Sequence, residues 1–160
     1  MEMTTSAREL LRHCVATTAY RAGKVLRDAA ESFANFQAGG STRTPVQIVA
    51  HMGDLFDWGL SIAKGKQVWH DSAPLPWQQE VNRFFESLKK FDDYLGGDEP
   101  LHASAEKLFQ GPIADAGSHI GQLAMLRRMA EAPIRGENYY QAEISAGRVG
   151  LNQPAPKREF

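Results

Sequence analysis

Asp115, His119 and Gln122 follow one another at gaps of four and three in the stretch GPIADAGSHIGQLAMLRRM, Gly111 to Met129. On a helix these gaps put the three side chains on one face, a turn apart. A carboxylate and an imidazole at i and i+4 can both reach a single divalent ion. His51, in the stretch VQIVAHMGDLFDWG, is the natural third partner, because it sits at the border of an apolar helical arc where a neutral imidazole in a cleft is expected. Two imidazoles and one carboxylate would leave positions open for water or substrate, as catalytic metal sites require. The spacing also fits a blander role. Polar residues at the edge of a core are usually satisfied by ordinary hydrogen bonds.

Other residues carry paired readings. Gln122 either orients a ligand from behind or bonds to backbone. Asp54 either accepts a proton from a ligand imidazole or is solvated, and its place on the polar side of its helix, with Asp57 and Ser61, favours the solvated role. Trp58 either walls a pocket or packs in a core or interface. His70 and His102 fall in loops and read as surface residues, and His13 lies on a helix flank. Cys14 fits an apolar stripe as a small core residue, with no base placed near it to make it a nucleophile. Arg127 and Arg128 meet the dipole at a helix C-terminus and could also bind an anionic substrate. The chain has no Gly-rich phosphate loop and no G-x-S-x-G motif, so serine-triad hydrolysis has no support.

Helices must position these groups. From Thr5 to Phe36, apolar or small residues recur at Ala7, Leu11, Cys14, Thr18, Ala22, Val25, Ala29, Phe33 and Phe36. All steps are three or four, which predicts one long amphipathic helix with a weak middle at Thr17, Thr18 and Gly23. Thr44-Pro45 reads as the cap and first residue of a second helix running to about Lys64. A loop with Trp69 packed down follows. The third helix runs from about Trp77 to Leu95, with a stop at Gly96-Gly97. Ser104 to Phe109 is one helical turn or two. Gly111-Pro112 then opens the fourth long helix, which ends near Glu131 before Pro133. A short helix around Tyr139 to Ile144 is expected. Residues 146–160 are either an extended segment laid over the body or a frayed tail.

This pattern, with no strand-like alternation, predicts an all-α single domain over residues 1–160, a four-helix bundle with a short extra C-terminal helix and an extended tail. Its 160 residues suffice for one sizeable core. A net charge of −1 and the lack of a basic run argue against nucleic acid. No apolar segment is long enough to enter a membrane. A single cysteine and a first stretch unlike a signal peptide point to a cytoplasmic setting.

The motifs A-H-M-G-D-L around His51 and D-A-G-S-H-I-G-Q-L-A-M-L-R-R around His119 resemble the DinB-like superfamily of metal-binding four-helix bundles, which includes bacillithiol and mycothiol S-transferase relatives. Helix order and lengths fit the same resemblance. The usual fourth-helix motif is a His, three residues, a second His and a Gly-Gln pair. His119 and Gly121-Gln122 match its second half, and Asp115 stands where the first His would be. The resemblance implies a divalent ion (zinc, nickel, iron or manganese) held by His51, Asp115 and His119. It also implies thiol transfer or hydrolysis on a small molecule, and a homodimer. Replacement of an imidazole by a carboxylate either changes the metal preference or abolishes binding. The alternative is a non-catalytic bundle that binds a small ligand or a partner protein.

Overall fold

Local capping fixes where the helices begin. In the computed structural model, which describes residues 5–160, α1 spans Ala7–Leu26 and starts at a reciprocal capping box: the Ser6 side chain accepts from the Glu9 backbone N–H, and the Glu9 carboxylate accepts from Ser6. The same device, Thr44 with Gln47 and Pro45 in the first turn, starts α2, Pro45–Ala63. Helix α3 spans Trp77–Gly96. A single-turn α4, Ala105–Leu108, runs through a wide π turn, Phe109–Ile113, into α5, Ala114–Met129. Among the described residues there is no strand, only an isolated bridge between Glu137 and Glu159.

Helices α2, α3 and α5 each bury an apolar face. Trp77, Val81, Phe84, Phe85, Leu88, Phe91 and Leu95 of α3 are all buried. They meet α2 in the most extensive helix pair of the fold, around Phe56, whose ring lies 6.0 Å from Phe84 and 5.9 Å from Phe91. Burying each such phenyl ring contributes about 2–3 kcal/mol.

Two boundaries differ from the sequence expectation. The first helix stops at Leu26 instead of reaching Phe36. Asp28 takes φ +58°, and a 3₁₀ turn, Glu31–Asn35, folds back over the bundle. Its Phe33 packs edge-on against Trp77 at 5.9 Å. The apolar spacing at Phe33 therefore reports burial on a different element, not a continued helix. The fourth helix does not begin at Gly111-Pro112 either: both residues lie inside the π turn between α4 and α5. Pro112 has no N–H to offer the carbonyl of Leu108, and its ring would press on that carbonyl in a regular helix. Widening the turn relieves both problems.

The C-terminal region is laid over the body. The expected short helix is a 3₁₀ turn, Tyr139–Gln141. Val149 is buried, and Leu151 C=O accepts from the Arg27 guanidinium. Buried Glu137 accepts from the Tyr20 hydroxyl at 2.5 Å and from Lys24 at 2.6 Å, while Lys24 also pairs with Glu159. No helix of the described chain is long and apolar enough to cross a membrane.

The approach of α2 to the π turn is unusually close. A Cβ at Gly59 would lie 3.0 Å from Pro112 Cγ and 3.7 Å from the Phe91 ring. Gly59→Leu is therefore expected to destabilise the fold by about 1–3 kcal/mol through overpacking, despite better helix propensity. A urea titration should show a lower midpoint at unchanged slope; an unchanged midpoint would mean that the two helices are free to part.

Candidate metal centre

His51 projects from the middle of α2, and Asp115 and His119 from the first turns of α5. The fold brings all three predicted residues together. One ligand atom from each lies within 4.8 Å of the others. His119 Nε2 is 3.4 Å from Asp115 Oδ1, and His51 Nε2 is 3.8 Å from Asp115 Oδ2. The two imidazole rings are 4.7 Å apart and nearly perpendicular, at 86°. Donors around a bound divalent ion sit about 3–3.4 Å apart, so only small side-chain rotations separate these atoms from a coordination shell.

Hydrogen bonding decides which nitrogen of His119 faces the cluster. Nδ1 lies 2.8 Å from Gln122 Oε1. With the amide oxygen accepting, Nδ1 is the donor, and Nε2, the nitrogen on the Asp115 side, is the one that would present a lone pair to an ion. Gln122 thus stands behind a ligand atom, which is the orienting role and not the backbone-bonded one. Burial first, then the nearby charges of Arg43 and His119, push the pKa of His51 below its ordinary value. A lowered pKa keeps the ring neutral, the form that binds metal. The donor set and its protonation therefore fit a divalent ion: this group could hold one. Among the described residues it is the one such group of three. Asp115 is half exposed while His119 is buried, so the cluster opens toward solvent on the carboxylate side.

The surroundings correct several expectations. Asp54 is not solvated: it is 2% exposed and accepts from Ser72 N at 2.9 Å, Ser72 Oγ at 2.7 Å and Arg83 Nη1 at 3.1 Å. It ties the loop after α2 to both α2 and α3. Arg83 also bonds Glu80 and the Ala50 carbonyl. The helical wheel correctly gave Asp54 an angle away from the apolar arc, but the loop that covers that side was invisible to it. That loop carries Trp69, whose ring meets His51 edge-on at 5.6 Å and Trp58 at 5.9 Å while staying half exposed. Trp58 and Trp69 thus form a wall beside His51.

Arg127 binds no external anion. It is buried and donates to the carbonyls of Ala132, Val25 and Arg27, closing the end of α1. His13, His70 and His102 are exposed, as expected, and stand outside the cluster. Cys14 is only half-buried and lines a cavity between α1 and α5. Sequence reasoning overlooked Arg43, which lies beside His51 at the mouth of the cleft. Its position just before the α2 cap was the available signal.

The fold and its site define an all-helical bundle carrying a His-Asp-His group able to hold a metal ion. Compared with protein-family models, curated proteins and solved structures, the chain gives no match.

Two outcomes follow. Asp54→Ala leaves Arg83 and the Ser72 N–H short of a partner, so chemical denaturation should show a loss of about 2–4 kcal/mol; a loss below ~0.5 kcal/mol would mean the network is not formed. Burial raises the Cys14 pKa, so little thiolate exists near pH 7.5. Iodoacetamide should alkylate the native chain at least about tenfold more slowly than the urea-unfolded chain, and equal rates would contradict the buried setting.

Proposed function

We propose that the chain is a metal-dependent protein of the DinB-like kind, with one divalent ion held by His51, Asp115 and His119. The observation that carries this reading is the confrontation of two acceptors. The Nε2 lone pair of His119 faces the Asp115 carboxylate at 3.4 Å, because Gln122 occupies the Nδ1 proton. Two acceptors at that distance repel unless a cation lies between them, either a proton on Nε2 or a metal ion. A metal ion, unlike a proton on Nε2, would also be shared with His51, whose ring lies 4.7 Å away. An ion shared by all three donors relieves every contact at once.

The resemblance of the His51 and His119 motifs to DinB-like sequences points the same way. The two-His, one-carboxylate set is harder than three imidazoles and suits iron, manganese or zinc. When bound, the ion would supply Lewis acidity, lowering the pKa of a thiol or water that reaches the centre. The protein's own residues do the rest. Gln122 fixes the tautomer and orientation of His119. Trp58 and Trp69 pack beside His51. Asp115 is half exposed, so solvent reaches the cluster on its side. The reaction class that fits is transfer of a thiol to a small molecule, or its hydrolysis.

Protein purified without an affinity tag and reconstituted with zinc, manganese or iron should hold about one ion per chain by elemental analysis. His119→Ala should reduce this to background. Gln122→Leu should keep the ion but weaken its affinity about 10–100-fold, as loss of a residue behind a ligand does. Wild-type protein without metal after reconstitution would remove the proposal.

A further inference from the structure

Two cavities meet at the candidate centre, and they differ in character. One is polar and bounded by His51, Asp71, Ser72 and Arg43. The other, of about 690 Å³, runs along α5 past His119, Gln122, Met125 and Met129, with Ile48 on its opposite wall. Its volume lies in the range of small-molecule sites. Arg43 borders both.

The chemistry of the second cavity is graded along its length. His119, Gln122, Met125 and Met129 recur at steps of three and four, so they form one helical stripe about 15 Å long. Its far end is apolar and adaptable: Met125 and Met129 are 55% and 50% exposed, with nothing covering them, and unbranched thioethers reshape readily around a ligand. Its near end holds a cation. Arg43 is exposed and has no hydrogen-bond or ion-pair partner among the described residues. The carboxylates nearest to it do not neutralise it. Asp54 is occupied by Ser72 and Arg83, and Asp71, on the wall of the polar cavity, makes no ion pair with it. A guanidinium at one end and a methionine-lined trough at the other complement a single kind of small molecule.

We propose that this cavity binds a small amphipathic anion, with its carboxylate or equivalent acidic group on Arg43 and its apolar chain or ring along Met125 and Met129. A ligand so placed shares its cavity with His119 and Gln122. As an assignment of substrate class this rests on the metal-centre reading above; as a binding site it stands on the cavity and Arg43 alone.

The probe is decanoate, titrated calorimetrically into the full-length chain against decanol and acetate. Decanoate should saturate one site and bind about tenfold more tightly than decanol, with acetate far weaker than either. Arg43→Gln should abolish the preference for decanoate over decanol. Met129→Asp should weaken both long-chain probes. Asp115→Ala, which removes a centre ligand without touching the cavity wall, should still bind decanoate. Loss of decanoate binding in that variant would place the carboxylate on the metal and overturn the assignment to Arg43. Equal affinity for decanoate and decanol would overturn it too. So would sedimentation showing that Met129→Asp splits a dimer while decanoate fails to saturate, because the face would then belong to a second copy of the chain. Absence of metal with decanoate binding intact would remove the centre and leave this site standing.

Discussion

The close crossing of α2 over the π turn at Gly59 and Pro112 is the constraint on which the rest depends. A π turn adds about one residue to a helical turn, so everything downstream is rotated by roughly 100° relative to a regular helix through the same residues. Helix α5 takes its phase from that rotation. With it, Ala116, Ile120, Leu123 and Leu126 enter the core, and His119 reaches the edge of the core opposite His51. Pro112 makes the widened turn necessary, and the missing side chain at Gly59 makes room for it against α2. Packing density then holds the arrangement. Phe91 lies under the same crossing, and interiors packed this closely do not shift by fractions of an ångström without cost.

Two charged clusters sit within a turn of each other on α2, and their contrast is informative. Around Asp54, every polar atom has a partner: Ser72 and Arg83 saturate the carboxylate, and Glu80 receives the remaining guanidinium edge and the Leu75 N–H. Such a network rigidifies and specifies, and it keeps both carboxylates engaged within the fold. It holds the loop carrying Trp69 against His51. Around His51 the donors run the other way. Two imidazoles and a carboxylate converge within 4.8 Å of one another. The first cluster is the frame that holds the second in place.

Much of this was legible in the chain, and the parts that were not have physical causes. The capping boxes at Ser6–Glu9 and Thr44–Gln47 announce α1 and α2 because a helix start is a local event. The stripe of α3 is legible because a wholly buried face demands unbroken periodicity. The end of α1 was missed because periodicity reports burial and not continuity: Phe33 is buried from a 3₁₀ turn at the same spacing a helix would need. Gly111-Pro112 reads as a helix start because Pro is common there, whereas in the fold the flanking residues on both sides are helical and the turn between them widens. The trio His51, Asp115 and His119 was legible through spacing on two helices plus the motif resemblance, and the fold does bring it together. Asp54 and Arg43 were not, because their roles depend on a loop and a cavity that no helical wheel contains.

The distribution of exposure across the cluster bears on what kind of centre it could be. A structural metal site is closed, with every coordination position filled by protein and the whole buried. Here the described residues supply three donors, one short of a tetrahedral set. The imidazoles are set back into the bundle, with side chains 17% and 10% exposed, while the carboxylate is 49% exposed. The open side is therefore the Asp115 side. Burial pushes the pKa of His51 below its ordinary value and so favours its neutral, ligating form. With the two imidazoles set inside and the carboxylate turned toward solvent, the group lacks the closed, fully buried character of a site that pins helices together.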